Sequence, residues 1–374
     1  MNHPKKEKNI GKPRILVGPL DWGLGHATRC IPVVRELLVQ GCEVFLAAEG
    51  RQSDLLQTEF PQITVLPLKG YNIEYAKSAL GLFRNIIVQI PKILQSIRFE
   101  NKWLNKIADD FQFDAIISDN RYGLYHPGIC SIFITHQLTI KSPIGKWTEK
   151  IIQKLNYKYI NRFSECWIPD NEGPENLAGE LSHPITKPGI PVYYIGPLSR
   201  FTNNTTADKT LAIKENHLLI VLSGPEPQRS ILENKIIREI SNYNGTATVV
   251  RGLPGNQTLI PSTNMIKFYN HLSSVDLYHE MKKAEFVVSR SGYSTIMDII
   301  ALQKKSILIP TPGQTEQEYL ADYCIKKQVA LCFKQQLFSL EKALQQAKQF
   351  DYMFAVDSSG TNLKKAIHSL LEKI

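Results

Sequence analysis

Short apolar runs, each continuous rather than alternating, are separated by helical stretches along the whole chain, and they constrain its fold more than any other feature. In the first half they are RILVGPL, EVFLAAE, ITVLPL, FDAIISD, ICSIFITHQ and ECWIPD. In the second they are LLIVLSG, TATVVRGL, MIKFYN, EFVVSRSG and SILIPTP. A strand with one wet face alternates polar and apolar residues. A strand that is apolar at every position belongs to a parallel sheet covered on both faces. Helices between such strands imply βαβ units. The expected class is therefore α/β, with two Rossmann-like doubly wound domains. A length of 374 residues also suits two domains better than one.

The pattern lapses over GPLSRFTNNTTADKT, residues 196–210, which is polar and has no apolar period. It restarts with HLLIVLSG. The expected division is an N-terminal domain over 1–198, a linker over 199–210 and a C-terminal domain over 211–374. The last helix is expected to be able to return to the first domain. The net charge of +9 points to an anionic partner, such as a phosphorylated ligand, a membrane surface or nucleic acid. The six cysteines form no CxxC pair, so neither a zinc ribbon nor a redox motif is expected. They read as reduced thiols of a cytoplasmic protein. The N-terminus MNHPKKEKNIGKPR has no apolar signal region, and no apolar run approaches the roughly 18 residues of a spanning helix.

Ligands of doubly wound folds bind outside the carboxyl ends of the strands. The strand-to-helix junctions are therefore the candidate sites. In GPLDWGLGHATR, Gly23 and Gly25 allow close backbone approach, and His26 falls in the first turn of the following helix. The spacing is not the dinucleotide G-x-G-x-x-G. In IVLSGPEPQRS, Ser223 and Gly224 precede a helix with Arg229 in reach. In EFVVSRSGYSTIMDII, Ser289, Ser291 and Gly292 precede a helix that carries Asp298. Such a turn suits phosphate, and a carboxylate beyond it suits ribose hydroxyls. PTPGQTEQEYLADYC crowds Gln314, Glu316, Gln317 and Glu318 at a helix start. Two strand ends of the first half carry Asp119 with Asn120, and His136 with Gln137. Each of these features also has a plain structural alternative as a cap, a solvated side chain or a tight turn.

Taken together, VVSRSGYSTIMDIIALQKKSILIPTPGQTEQEYLADYC and GLGHATR resemble the family 28 glycosyltransferases, the lipid-II-forming N-acetylglucosaminyltransferases among them. The resemblance implies a GT-B fold, two domains facing a cleft, and transfer from a nucleotide sugar, with a UDP-sugar expected. It implies a diphosphate turn at Ser291 and Gly292, with Ser223 and Gly224 on the donor side. It implies a ribose ligand at Asp298, which is Asp where the family has Glu. Gln317 and Glu318 match a donor-sugar Gln-Gln pair, the second being Glu here. Arg200 matches a hinge arginine that reaches the diphosphate, and His271 and Leu272 match the base-reading backbone. The GGH-like loop of Gly23, Gly25 and His26, with Asn120, is implied on the acceptor side.

The reaction needs a base to take a proton from an acceptor hydroxyl. His26, with an ordinary pKa near 6.5, suits it, and Asp119 and His136 are the competitors. Inversion is expected, with no metal, since the second half offers no DxD-like motif at a strand end, and with no cofactor, the nucleotide sugar being a substrate. Residues 78–103 and 141–162 mix apolar and basic residues at helical spacing. They suit either helices covering a sheet or contact with an anionic membrane. The latter would make the protein cytoplasmic and peripheral on the inner face of the plasma membrane, with a lipid-linked or glycan acceptor. Two other functions compete. A nucleotide-sugar hydrolase is one, because GLGHATRC also resembles the turn of the UDP-sugar hydrolase of pseudaminic acid synthesis. A basic nucleic-acid binder is the other, but no basic stripe interleaved with aromatics is present, so no nucleic-acid partner is expected.

Overall fold

The computed structural model describes residues 11–71, 79–202 and 212–374, with the side chains of the helix that begins at 79 described from residue 88. Two parallel sheets organise the chain. The first holds β1 (Arg14–Pro19), β2 (Glu43–Ala48), β3 (Thr64–Pro67), β4 (Ala115–Asp119), β5 (Cys130–Ile134), β6 (Glu165–Ile168) and β7 (Val192–Tyr194), in the order β3-β2-β1-β4-β5-β6-β7. The second holds β8 (His217–Val221), β9 (Thr246–Val250), β10 (Ile266–Tyr269), β11 (Phe286–Ser289), β12 (Ser306–Leu308) and β13 (Leu331–Cys332), in the order β10-β9-β8-β11-β12-β13. The central strands β1, β4, β8 and β11 are buried along nearly their whole length, as their unbroken apolar runs require.

Strand order reverses between β1 and β4 in the first sheet and between β8 and β11 in the second. A crevice opens at each such switch point, because the helices that follow the two strands leave to opposite sides. Register fixes what lies there. Pro19 pairs with Asp119, and Val221 pairs with Ser289. The chain leaves β1 into α1 (Leu24–Val39), and leaves β11 into α7 (Tyr293–Ala301). Helix α8 (Thr315–Lys326) follows β12, and α5 (Gln228–Ile240) follows β8.

One apolar core runs through both halves, from Ile15, Ala27 and Ile31 to Ile296, Met297 and Ile367. The last helix, α10 (Thr361–Lys373), buries Leu363, Ile367 and Leu370, which are spaced to share one face. It lies against α1, where Gln40 donates to the Lys364 carbonyl at 3.1 Å, and Lys373 pairs with Glu165. Each buried aliphatic contributes about 1.5–3 kcal/mol, enough to hold the C-terminus on the first sheet.

Two strands escape sequence reading. β7 and β13 are edge strands of three and two residues, too short to show a period. The stretch read as a polar linker is also more ordered at its start than its composition suggests. Ser199 and Phe201 are buried, and the Phe201 ring lies 5.9 Å from that of Tyr278. Residues 203–210 of that stretch lie outside the described residues.

Candidate functional site

A cleft of about 1580 Å³ separates the two switch points and is lined from both halves. Its first wall is built on α1. Gly23 takes φ +81° as the residue before the helix, a conformation that costs glycine little. Gln52 donates to the carbonyls of Leu20 and Gly23 and holds this turn in place. His26, Arg29 and Cys30 then lie at i, i+3 and i+4, so they share a face. That face meets the end of β4. Asp119 is fully buried, takes Arg29 Nε at 2.6 Å on Oδ2, and lies 3.1 Å from His26 Nδ1 through Oδ1. Arg29 Nη2 reaches the same Oδ1. Burial alone would raise the Asp119 carboxyl, but Arg29 and His26 hold it down at about 2. His26 Nε2 makes no hydrogen bond to the described residues and belongs to a side chain that lines the cleft.

His136, just beyond β5, joins the same cluster. Its Nδ1 lies 3.0 Å from Arg29 Nη1, its Nε2 lies 2.8 Å from Glu316 Oε1, and its ring stacks on Tyr293 at 4.1 Å. Burial pushes its pKa below the ordinary value, with Glu316 working the other way. Glu316 and Tyr293 come from the second half, so the cluster spans both domains. Ser294 Oγ also donates to the Gly25 carbonyl at 2.8 Å. A Cβ on Gly25 would lie 3.0 Å from that oxygen, which explains a glycine here better than backbone freedom does.

The second wall consists of the turns after β8, β11 and β12. Ser223, Gly224, His271, Leu272, Gly292 and Gln317 line the cleft, as do Gly23, Gly25, Asn120 and Arg200. Gly224 has φ +104°. Gln317 Oε1 accepts the Thr311 amide at 2.9 Å, and its Nε2 donates to Gln314. The N-termini of α1, α5, α7 and α8 all border this space.

Three residues expected to face the donor are engaged elsewhere. Ser291 is fully buried, and its hydroxyl donates to the Gln317 carbonyl at 2.8 Å. It ties two donor-side turns together and leaves only the backbone of Gly292 toward the cleft. Asp298 is buried in α7, where it accepts Ser199 Oγ at 2.8 Å and Arg200 Nε at 3.0 Å. Burial raises its carboxyl despite the Arg200 charge. Its carboxylate oxygens thus bond Ser199 and Arg200 of the hinge. Glu318 Oε1 accepts the Gly313 amide at 3.0 Å and braces its own turn. Asp119, too, is buried and meets the cleft through His26 and Arg29. Arg29 is a site residue that sequence reasoning did not select, and Glu316, noted there only in a polar cluster at a helix start, meets His136 instead. The i+3 spacing of Arg29 from His26 is the signal that could have found the first.

Two doubly wound domains with facing switch points and a cleft between them define the GT-B class. Residues 255–369 match the glycosyltransferase family 28 C-terminal domain, and residues 13–138 match glycosyl transferase family 1. An uncharacterized glycosyltransferase of Methanosarcina mazei is 24% identical over 337 residues, covering 82% of this chain and 81% of its own length. The UDP-N-acetylglucosamine–N-acetylmuramyl-(pentapeptide) pyrophosphoryl-undecaprenol N-acetylglucosamine transferase of Buchnera aphidicola is 26% identical over 378 residues, covering 94% of this chain and 96% of that one. Among solved structures, the glycotransferase of kitacinnamycin superposes with a TM-score of 0.61 at 12% identity, covering 96% and 95% of the two chains. MurG of Acinetobacter baumannii does so at 0.54 and 14%, covering 97% and 100%. The protein is a glycosyltransferase that moves a sugar from a nucleotide-sugar donor, and residues 255–369 are similar to the family 28 C-terminal domain.

Proposed function

We propose that the protein is an inverting, metal-independent transferase that carries a sugar from a UDP donor to a hydroxyl of a lipid-linked acceptor. The observation that carries this reading is the buried Asp119 carboxylate against His26 Nδ1, with the other ring nitrogen left for the cleft. Nδ1–H donating to Asp119 leaves the Nε2 lone pair as the base. The acceptor oxygen attacks the anomeric carbon, its proton passes to His26 Nε2, and the bond to the diphosphate oxygen breaks with its electron pair. A single displacement inverts the anomeric centre. Charge growing on the diphosphate is met by the amides at the starts of α5, α7 and α8 and by Arg200. No metal or cofactor enters this scheme. Asp298 serves it by positioning Arg200.

The acceptor class rests on α4 (Lys146–Ile160). Ile151, Ile152 and Leu155 line the cleft mouth with Ile90 and Ile93. Trp147 is 72% exposed, on a helix whose lysines are Lys146, Lys150, Lys154 and Lys158. Apolar residues among lysines suit the surface of an anionic bilayer, on the cytoplasmic side where the donor is made. Among the described residues no helix is long and apolar enough to cross a membrane. Of the other basic stretch, Leu80, Leu82, Phe83, Arg84, Ile86 and Ile87 lie outside the described side chains.

UDP added with a chelator at about a hundred times its Kd should stabilise the protein by roughly 2.7 kcal/mol in thermal unfolding. His26→Ala should keep that stabilisation and lose about 10²- to 10⁴-fold in turnover. No stabilisation by any nucleoside diphosphate at millimolar concentration sinks the donor site. Full-rate release of free sugar by the wild type in water alone replaces the transferase with a hydrolase.

A further inference from the structure

We propose that Asn120 reads the acceptor. Its side-chain amide binds a second polar group of the acceptor, on the carbon next to the attacked hydroxyl. The enzyme then takes a vicinal diol, of the kind a sugar ring carries, and not an isolated alcohol. The proposal rests on the reading of His26 as base and names the acceptor class for that same site.

Among the described residues, the ones other than glycine with positive φ are Gln112, Asn120, Asn216, Gln303 and Gln328. Gln112, Gln303 and Gln328 close helices and Asn216 leads into β8, and all four are exposed or half-buried. Asn120 alone of the five is buried, and it takes φ +58° at the end of a central strand. The left-handed region disfavours every residue but glycine, asparagine less than most. It persists where the surroundings impose it, and here both neighbours do. Asp119 and Arg121 are fully buried. Asp119 is held by Arg29 and His26. Arg121 donates from Nε to the Pro19 carbonyl at 2.6 Å and from Nη1 to Glu100 Oε1 at 2.8 Å, and its own carbonyl accepts Ser118 Oγ at 2.6 Å. The backbone N–H of Asn120 donates to the Ile134 carbonyl at 3.2 Å. The chain is thus fixed on both sides of Asn120.

Its side chain is left without a structural task. The amide has no hydrogen-bond partner among the described residues, yet neither of its polar atoms is sealed in, as the unpartnered Gln52 Oε1 and Thr311 Oγ1 are. The residue is 9% exposed and lines the cleft, so the opening that remains to it is the cleft. It stands one position from the carboxylate that holds the base. A strained, nearly buried residue with a free amide beside the reacting groups is a ligand position.

An amide offers two N–H donors and a carbonyl oxygen. The attacked hydroxyl gives its proton to His26 Nε2 and an electron pair to the anomeric carbon, so it has no proton for the Asn120 oxygen. A hydroxyl on the neighbouring carbon keeps its proton and its lone pairs, and it can pair with either end of the amide. An acceptor with a single hydroxyl leaves that amide unpaired in a nearly buried site, which is the kind of loss that separates substrates steeply. Asn120 makes and breaks no covalent bond, and the transfer step is the one given above.

The test compares two acceptors on the full-length protein, octyl β-D-glucopyranoside and 1-octanol. The donor is whichever of UDP-glucose, UDP-galactose and UDP-N-acetylglucosamine the wild type turns over fastest. The wild type should use the glucoside at least about a hundredfold better in kcat/KM. Equal use of the two, or transfer to neither, overturns the proposal. Asn120→Gly removes the amide and suits the left-handed backbone, so it should keep the native circular dichroism and the stabilisation by UDP. It should lose about ten- to a hundredfold on the glucoside and leave the rate on octanol as it is. An equal loss on both acceptors, or no loss on either, makes Asn120 a residue of the fold alone and overturns the proposal. If the variant does not fold, the wild-type preference decides by itself. Failure of the base reading looks different: His26→Ala then keeps full turnover while the preference for the glucoside stands.

Discussion

His26 and Asp119 are 93 positions apart in the chain, yet the site depends on their contact. Each is visible in the sequence on its own, one after a glycine-rich turn and one at a strand end. Their pairing is not, because it needs the parallel register of β1 and β4. Arg29 was hidden for another reason. An arginine on a helix is ordinarily a surface residue, and nothing local says that a carboxylate waits in the core to neutralise it. Asp298 and Glu318 have the reverse history: their positions match a motif, but packing gave their oxygens to the hinge and to a turn. The state of Asp119 has a measurable consequence. Its carboxyl titrates at about 2 in the folded protein and near 3.9 in the unfolded chain. A lowered folded value contributes stability that is fully present above the unfolded value and is lost as pH falls through the folded one. Urea unfolding should therefore show about 2–3 kcal/mol from this group, fading between about pH 5 and pH 2. Asp119→Asn should be less stable at pH 7 and lack that part of the acid dependence; an unchanged slope would mean another carboxylate carries it.

Helices divide into those whose role the sequence announces and those whose role depends on what they meet. Burial of α10 follows from the spacing of Leu363, Ile367 and Leu370, and its apolar face is evident from sequence. That the face covers α1 is not, since α1 lies more than three hundred residues earlier. Helix α4 is the opposite case. Its pattern suits either a helix covering a sheet or contact with an anionic membrane, and the exposure of Ile144, Trp147, Ile151 and Leu155 beside the cleft mouth supports the membrane reading proposed above. Each lysine near an anionic surface adds about 1 kcal/mol. Replacing Lys150 and Lys154 by Glu should thus weaken sedimentation with phosphatidylserine-containing vesicles by at least tenfold. Trp147→Ala should weaken it even at high salt, where the charge contribution is screened. Binding that ignores both changes would assign α4 to an ordinary solvated surface.

At the scale of the whole molecule, continuous apolar runs were enough for two parallel sheets, and strand ends were enough for where ligands go. Neither says how the sheets face one another. That arrangement rests on the apolar core the two halves share and on contacts between them, including Ser294 to Gly25, Tyr293 to His136 and Glu316 to His136, whose partners carry no shared local pattern. The convergence of four helix N-termini on one space has a further, kinetic consequence. Each presents about half a positive charge, offset in part by Glu316 and Glu318 in the first turn of α8 and by Glu226 at the start of α5. A nucleotide sugar brings a diphosphate with two negative charges. The spent nucleotide, once its sugar has gone, ends in a monoester phosphate with a second ionisation near pH 6, so it leaves the reaction more negative than its parent entered. The cleft therefore grips what it must discard more firmly than what it must use. Steady-state rates should show competitive inhibition by UDP with a constant below the KM of the donor, weakening below about pH 6 as that phosphate takes up a proton, and departure of the nucleotide should pace the cycle.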